Sequence, residues 1–260
     1  MTNANDRNGE DRRVVNPFVG DVVATRYALA RPQLHHHVVA LLSERLPRLG
    51  SVIDAGCGTG LSTEPLAAFA RLVVGVDASA DMLRRREADG TARYVAGLAE
   101  RLPFRDAVFD MATIASAIHW FDSSAIGEIG RVLRRSAWLV VYDVWFRAEM
   151  VGTDAFAKWM REECGPRYPR VPKNEFMPTS LAGMGVTPAW DEELRFEVPM
   201  TLDALVAYLM THSERIAAVR EGRETEAEQE AYFIDAFRPY FSVAERRQLA
   251  FGIWVKVFSR

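Results

Sequence analysis

Cysteine is scarce in this chain of 260 residues, which has only Cys57 and Cys164. Two thiols are too few for a disulfide framework or a structural zinc site, and a reducing, cytoplasmic setting is expected. Charge of one sign is also lacking: 32 basic and 35 acidic residues leave a net charge of −3. The basic residues are not clustered, so no nucleic-acid partner is expected. No apolar run reaches the length of a membrane span, and no membrane partner is expected. The opening residues, Met1 to Arg13, hold no apolar segment of the kind a secretory signal needs. Residues 1–15, rich in Asn, Asp and Arg, are expected to form a disordered tail. Repeats and low-complexity blocks are absent, and nothing in the sequence marks an oligomeric state.

What is present is ordinary globular material, 49% hydrophobic and 26% charged. After Pro32, apolar residues recur at helical spacing from Gln33 to Leu46. Short apolar runs at 51–55, 72–76, 92–95, 109–115 and 137–144 then alternate with helical patterns at 62–70, 80–88 and 124–133. That alternation predicts an α/β fold, a mostly parallel sheet with helices on both faces. The rhythm changes after Asp143. Residues 145–190, rich in Trp, Met and Pro, and residues 201–245 are expected to be helical lid or insertion segments within a domain spanning 16–260. Strand-like alternation at 193–200 and 249–258 suits a last strand running antiparallel to the rest.

The segment with the most chemistry is Asp54-Ala55-Gly56-Cys57-Gly58-Thr59-Gly60. It follows a predicted strand and precedes a predicted helix, and its glycines let the backbone turn sharply and approach a ligand closely. The next strand ends in Asp77, which can accept hydrogen bonds from both hydroxyls of a ribose, cap the following helix, or do both. A glycine loop and a ribose acid on adjacent strands describe an adenosine site. Dinucleotide loops read G-x-G-x-x-G, with a helix N-terminus facing a pyrophosphate. Here the spacing is G-x-G-x-G with an acid two residues ahead, which disfavours a pyrophosphate and suits a cationic amino-acid ligand.

On these residues the stretch 50–145 resembles the class I S-adenosylmethionine-dependent methyltransferases, in particular the type 11 subgroup. Asp54 to Gly60 is similar to that family's glycine motif, Val74 to Ser79 to its ribose motif, and Met82 to its adenine-packing position. Gly97 to Phe104 is similar to its adenine segment, and Phe109-Asp110 and Arg131-Val132-Leu133 to later landmarks. Ala117-Ile118-His119-Trp120-Phe121-Asp122 and the opening Tyr27 to Pro32 resemble the trans-aconitate methyltransferase-like enzymes. The chain departs from the family at Leu98, where many members have Asp, and at Arg134-Arg135-Ser136-Ala137 in place of a Pro-Gly-Gly turn.

The resemblance implies a Rossmann-like seven-stranded sheet and S-adenosyl-L-methionine as cofactor. It implies Asp54, Gly56, Gly58, Thr59, Gly60, Asp77, Ala78, Met82, Ala99, Glu100 and Ser116 as its contacts. Tyr27 and the segment 116–119 would border the amino-acid and sulfonium end. His119 is read either as a proton acceptor or as a packing residue beside Trp120, and Tyr27 as a second group able to polarise an acceptor. Arg31 is a candidate partner for an acceptor carboxylate. Trp145, Phe146, Trp159 and Phe176 are read either as substrate-facing lid residues or as core. His35, His36 and His37 are consecutive, so on a helix they cannot converge on one metal ion, and no metal is expected.

The expected reaction is in-line methyl transfer to a small molecule, with a bulky apolar or aromatic acceptor suggested by the insertion. Two other readings stay open. One is a cofactor-binding or interaction protein without catalysis on the same fold. The other is a nicotinamide-dependent oxidoreductase, against which the loop spacing and the lack of a Tyr-x-x-x-Lys pair argue.

Overall fold

The computed structural model describes residues 16–260 except 87–89, 175–180, 182–183 and 243. The tail expected over 1–15 and the candidate Phe176 lie outside the described residues. Strands β1 (Leu49–Ala55), β2 (Ala70–Asp77), β3 (Arg93–Ala96), β4 (Phe109–Ala115), β5 (Leu133–Met150), β6 (Thr187–Met200) and β7 (Arg247–Ser259) form one sheet in the order β3-β2-β1-β4-β5-β7-β6. β1 to β5 pair in parallel, and β7 runs antiparallel to both β5 and β6. This is the mostly parallel sheet that the alternation of patterns predicted, with the seven strands that the resemblance implies.

The central strands are near-continuous apolar runs because both sheet faces are covered. Successive residues serve opposite faces. Val52, Val73, Met111 and Val140 pack on one side, while Ile53, Val74, Ala112 and Val141 pack on the other. Around the sheet lie α1 (Asp21–Ala30), α2 (His35–Arg45), α3 (Thr63–Leu66), α4 (Ala80–Arg84) and α5 (Ser124–Val132). α5 buries Ile126, Ile129 and Val132 on the second face, and α2 buries Val38, Val39 and Leu42 on the first.

Three expectations are revised. The helix predicted over 62–70 is only one turn, α3, because β2 already begins at Ala70. β5 runs to Met150, so Trp145 and Phe146 are strand residues paired with Gly252 and Phe251 rather than the start of an insertion. Trp145 is accommodated because its partner is glycine: a Cβ on Gly252 would lie 2.3 Å from the indole. The helical stretch 202–240 is three helices, α8 (Leu202–Leu209), α9 (Ser213–Arg220) and α10 (Glu226–Phe241). Thr225 and Glu228 close a capping box at the start of α10.

Between β5 and β6 lie α6 (Asp154–Trp159), a wider π-type turn over Met160–Cys164 and α7 (Gly165–Arg167). An aromatic cluster joins this segment to α10. Phe156, Phe233 and Phe237 are fully buried, and Phe237 lies 5.1 Å from the Phe156 ring and 4.9 Å from Trp159. The segment therefore has a core of its own, continuous with the first face of the sheet. We predict that Phe237→Ala costs about 3–5 kcal/mol of stability, read as a lower midpoint in urea unfolding. A loss below about 1 kcal/mol would mean that this cluster does not hold the segment.

Candidate active site

Most of the residues singled out from the sequence gather at the carboxyl ends of β1, β2, β4 and β5, where strand order reverses and open α/β sheets bind ligands. A cavity of about 830 Å³ opens there. One half is walled by Gly56, Gly58, Thr59, Asp77, Ala78, Met82, Ala99, Glu100 and Ser116. Tyr27, Arg31, His119, Trp145 and Phe146 line it as well.

Gly56 and Gly58 have φ of +73° and +55°, the region glycine enters most easily. A Cβ on Gly56 would lie 2.5 Å from the Ala117 methyl, so the loop can press against the 117–122 segment only as glycine. Asp77 ends β2 and holds this loop: its Oδ2 accepts from the Gly58 N–H at 2.7 Å and its Oδ1 from the Ser79 N–H at 2.7 Å. Burial pushes the Asp77 carboxyl up, and these two N–H donors draw it back. Each oxygen keeps a lone pair for a further donor. Ser79 in turn caps α4 by accepting from the Met82 N–H, which seats Met82 in the wall. So the helix-capping role anticipated for Asp77 falls to Ser79.

Two cofactor candidates are placed differently from expectation. Asp54 does not line the cavity: it is fully buried, accepting from the hydroxyls of Ser62 at 2.6 Å, Thr63 at 2.7 Å and Thr113 at 2.7 Å. It shapes the loop and does not face a ligand. Gly60 does not line it either, because it backs onto Tyr94, whose hydroxyl would lie 2.3 Å from an added Cβ. Trp159 is also corrected. It packs on Tyr232, Phe233 and Phe237 and belongs to the core under the segment, while neighbouring Met160 faces the cavity.

Ser116 is a non-glycine residue at φ +52°, a strained conformation that tends to mark functional sites. It is held by its N–H donating to the Tyr142 carbonyl at 2.8 Å and by its Oγ accepting from the Val144 N–H at 3.1 Å. His119 stands in a single turn, Ile118–Trp120, against the Trp120 ring. Burial first, and Lys173 second, lower its pKa from 6.5 to about 4. Glu100 lines the cavity while accepting from the Asp122 N–H at 2.8 Å, so it also ties the adenine segment to the 117–122 segment. Tyr27 stacks edge-on to Phe18, with the Arg31 guanidinium 4.7 Å over its other contact face.

Sequence reasoning passed over much of the opposite wall: Phe18, His35, Asp143, Tyr168, Lys173, Tyr208, His212 and Arg215. His35, set aside as one of three adjacent histidines, meets the Tyr142 hydroxyl at 3.0 Å. Asp143 is pushed up by burial and held back by the Ser116 hydroxyl, Lys173 and Arg31. Only the helical spacing of Tyr208 and His212 hinted at a shared face. Among the described residues no cluster of His, Cys, Asp or Glu could hold a metal ion, and no helix is long and apolar enough to cross a membrane.

Comparison with known proteins fits this geometry. Residues 53–141 match the family described as a methyltransferase domain. A demethylmenaquinone methyltransferase of Corynebacterium kroppenstedtii is 40% identical over 138 residues, 50% of this chain and 59% of that protein. A malonyl-[acyl-carrier protein] O-methyltransferase of Pectobacterium atrosepticum is 40% identical over 86 residues, 32% of this chain and 34% of that protein. The chain thus spans less than two thirds of the length of either relative. In fold, a chain from Anaeromyxobacter dehalogenans described as a putative type II methyltransferase matches with a TM-score of 0.66 at 23% identity, covering 87% of this chain and 97% of that one.

The residues that line the cavity fit S-adenosylmethionine, the cofactor that the sequence resemblance implies. Asp77 offers two acceptor positions to a ribose diol, and Met82, Ala78 and Ala99 offer apolar walls to an adenine. The buried Thr59 hydroxyl, in the cavity wall, has no partner among the described residues. Leu98, the departure from the family pattern, is 55% exposed at the rim.

Two outcomes are expected. Asp77→Ala, which also frees the Gly58 N–H, should weaken S-adenosylhomocysteine binding about 100-fold, the loss of hydrogen bonds to a charged group worth about 3 kcal/mol together. Calorimetric titration measures it, and unchanged affinity would remove Asp77 from the site. The second concerns pH. Burial holds His35 at a pKa of about 4, below its unfolded value of 6.5. The unfolded chain then binds the extra proton, so His35 contributes stability in full above about pH 6.5 and loses it as pH falls towards about 4. The drop in melting temperature between about pH 7.5 and about pH 5 should therefore be smaller in His35→Gln than in the unaltered protein. This comparison separates the histidine from the buried carboxylates Asp54, Asp77 and Asp143, which burial shifts the opposite way. An identical drop in both proteins would refute it.

Proposed function

We propose that the whole chain is an S-adenosylmethionine-dependent methyltransferase whose acceptor is a small, bulky apolar or aromatic molecule. The observation that carries this reading is the cavity itself. The ribose acid and glycine loop form one half, and the aromatic side chains Phe18, Tyr27, Trp145, Phe146, Tyr168 and Tyr208 line the rest. The likeness of 27–32 and 117–122 to the trans-aconitate methyltransferase-like enzymes supports placing the methyl-accepting atom near Tyr27 and His119. The segments 154–168 and 202–241 act as a lid over the acceptor, since Met160, Cys164 and Tyr168 from one and Tyr208, His212 and Arg215 from the other supply its wall. Two buried thiols, Cys57 and Cys164, suit a reducing cytoplasm, and a small-molecule partner rather than nucleic acid suits the near-balanced charge.

S-adenosylmethionine supplies, when bound, a methyl group already activated by its sulfonium. The chain's own residues then need mainly to align and to exclude water. Asp77 holds the ribose hydroxyls, and Ser116, fixed by β5, borders the amino-acid end. The aromatic walls displace water from the acceptor. His119 is neutral at physiological pH, so its free ring nitrogen accepts a hydrogen bond from an acceptor hydroxyl or amine. With a pKa of about 4 it is a weak base, better suited to orienting the acceptor than to removing its proton before attack.

The test is an acceptor screen followed by S-adenosylhomocysteine release. We expect acceptor-dependent release with apolar or aromatic metabolites, abolished in Asp77→Ala. Binding of the cofactor with no acceptor-dependent release would favour the reading as a binding protein without catalysis, and nicotinamide reduction would favour the oxidoreductase. In an active screen, His119→Ala should lower kcat roughly ten- to hundredfold with no change in the shape of the pH profile above about pH 5. If the variant instead abolishes an ionisation seen in the unaltered enzyme, His119 is a general base.

A further inference from the structure

The acceptor half of the cavity carries more positive than negative charge. Arg31, Arg170, Lys173 and Arg215 line it against Asp143 and Glu214. Two of these cations are poorly compensated. Arg215 is only 7% exposed, and its nearest carboxylate, on its own neighbour Glu214, is 3.7 Å away. Its other partners are soft: the Cys164 sulfur at 3.0 Å, a His212 ring nitrogen at 3.4 Å and the Tyr168 face at 5.1 Å. Arg31 donates to the Thr211 carbonyl at 3.1 Å and lies over the Tyr27 and Tyr208 rings, with no carboxylate in salt-bridge range among the described residues. A buried guanidinium without a counter-charge is costly.

The unsatisfied atoms on these residues share one chemical sense. Arg31 Nε and Arg215 Nε are buried N–H donors without an acceptor. His212 Nε2 is the third unpartnered atom. Arg215 Nη1 faces His212 Nδ1 and can only donate, so Nδ1 accepts and the ring proton sits on Nε2. Two of the three residues flank Tyr208, Arg31 lying 5.2 Å over its ring and the His212 ring 4.9 Å from it, and Arg215 adjoins His212. His212 is also the N-cap residue of α9, and its side chain makes no cap there. The amino-terminal end of α9, whose residues Ser213, Glu214 and Arg215 line the same wall, adds the positive pole of its dipole. Three buried donors, two fixed positive charges and a helix N-terminus around one cavity describe a receptor for an anion.

We propose that the methyl acceptor is an organic acid with an apolar or aromatic body, whose carboxylate is held by Arg215, His212 and the start of α9. The inference rests on the methyltransferase reading and names its substrate class. The aromatic residues take the body of the molecule, and the planar fork of Arg215 matches a carboxylate. Arg31, beside Tyr27, stands closer to the donor half and is able to serve either the acceptor's carboxylate or that of the methyl donor's amino-acid end. Arg215 is the residue that separates the two.

The experiment titrates the S-adenosylhomocysteine-loaded protein with indole-3-acetate and with its uncharged amide, indole-3-acetamide, in the unaltered protein, in Arg215→Met and in Arg215→Lys. The acid should bind the unaltered protein at least about tenfold more tightly than the amide. Arg215→Met should erase that preference and leave S-adenosylhomocysteine affinity unchanged, and Arg215→Lys should retain part of it. Equal binding of acid and amide, or binding of neither at millimolar concentration, would overturn the proposal. So would a preference that survives Arg215→Met. A loss of S-adenosylhomocysteine affinity in Arg215→Met would assign the anion site to the methyl donor and overturn it too. Should Arg215→Met fail to fold, the acid-to-amide ratio of the unaltered protein and the Lys variant still decide the matter. If the unaltered protein does not bind S-adenosylhomocysteine, the methyltransferase reading itself has failed and this inference falls with it.

Discussion

The donor half of the site depends on one buried carboxylate. Asp54 sits at the end of β1 with no exposure and is satisfied by three hydroxyls, two from the start of α3 and one from β4. A carboxylate taken out of water is expensive unless it is fully hydrogen-bonded, and a complete set of bonds makes such a group specify one geometry. Asp54 thereby fixes β1, β4 and α3 to one another at the point where the glycine loop leaves the sheet. Asp77 then fixes the loop from the next strand through the Gly58 N–H. Burial first, and the nearby Asp77 charge last, raise the Asp54 pKa, and two acids at this point favour a cationic ligand over a pyrophosphate. Asp54 acts on this loop from behind it, as it does not line the cavity.

The sequence made the sheet and the donor half legible because each rests on short spacings. A strand, three glycines and an acid at the end of the next strand lie within 54–77, and local rules suffice to place them. The same rules could not show that Asp54 turns inward, since that depends on Thr113, which is 59 residues away. Nor could they end β5 correctly. The run Trp145 to Met150 reads as irregular from its own residues, and it becomes a strand because β7, about a hundred residues later, pairs with it and offers Gly252 beneath the indole. Trp159 and Met160 are adjacent and equally apolar, yet only Met160 faces the cavity; their fates are decided by the turn of a helix packed on α10.

The acceptor half was hardly legible at all, for a related reason. Its wall draws Phe18, Tyr27 and Arg31 from the start of the chain, Asp143 from β5, Tyr168 from the connection to β6, and Tyr208, His212 and Arg215 from α8 and α9. Apart from Tyr27 and Arg31, which share the opening segment 27–32 and were singled out beforehand, no two of these groups sit in a motif with a fixed spacing, and each has an ordinary structural explanation when read alone.

The two halves also differ in how their polar groups are balanced. In the half that holds Asp54 both oxygens of that carboxylate have donors, and only the Thr59 hydroxyl is left over among the described residues. Around Tyr208 three nitrogen donors or ring atoms are left over, each worth about 1–3 kcal/mol of lost stability. Such a deficit is tolerable only because the aromatic cluster of Phe156, Trp159, Phe233 and Phe237 holds the surrounding helices in place. Natural chains depart from local satisfaction mainly where function requires it. Arg215 is kept under Tyr168 and beside Cys164, out of solvent. Stability spent at that position is therefore best understood as recognition, with the core beneath the covering segments serving to keep those donors fixed around one face of the cavity.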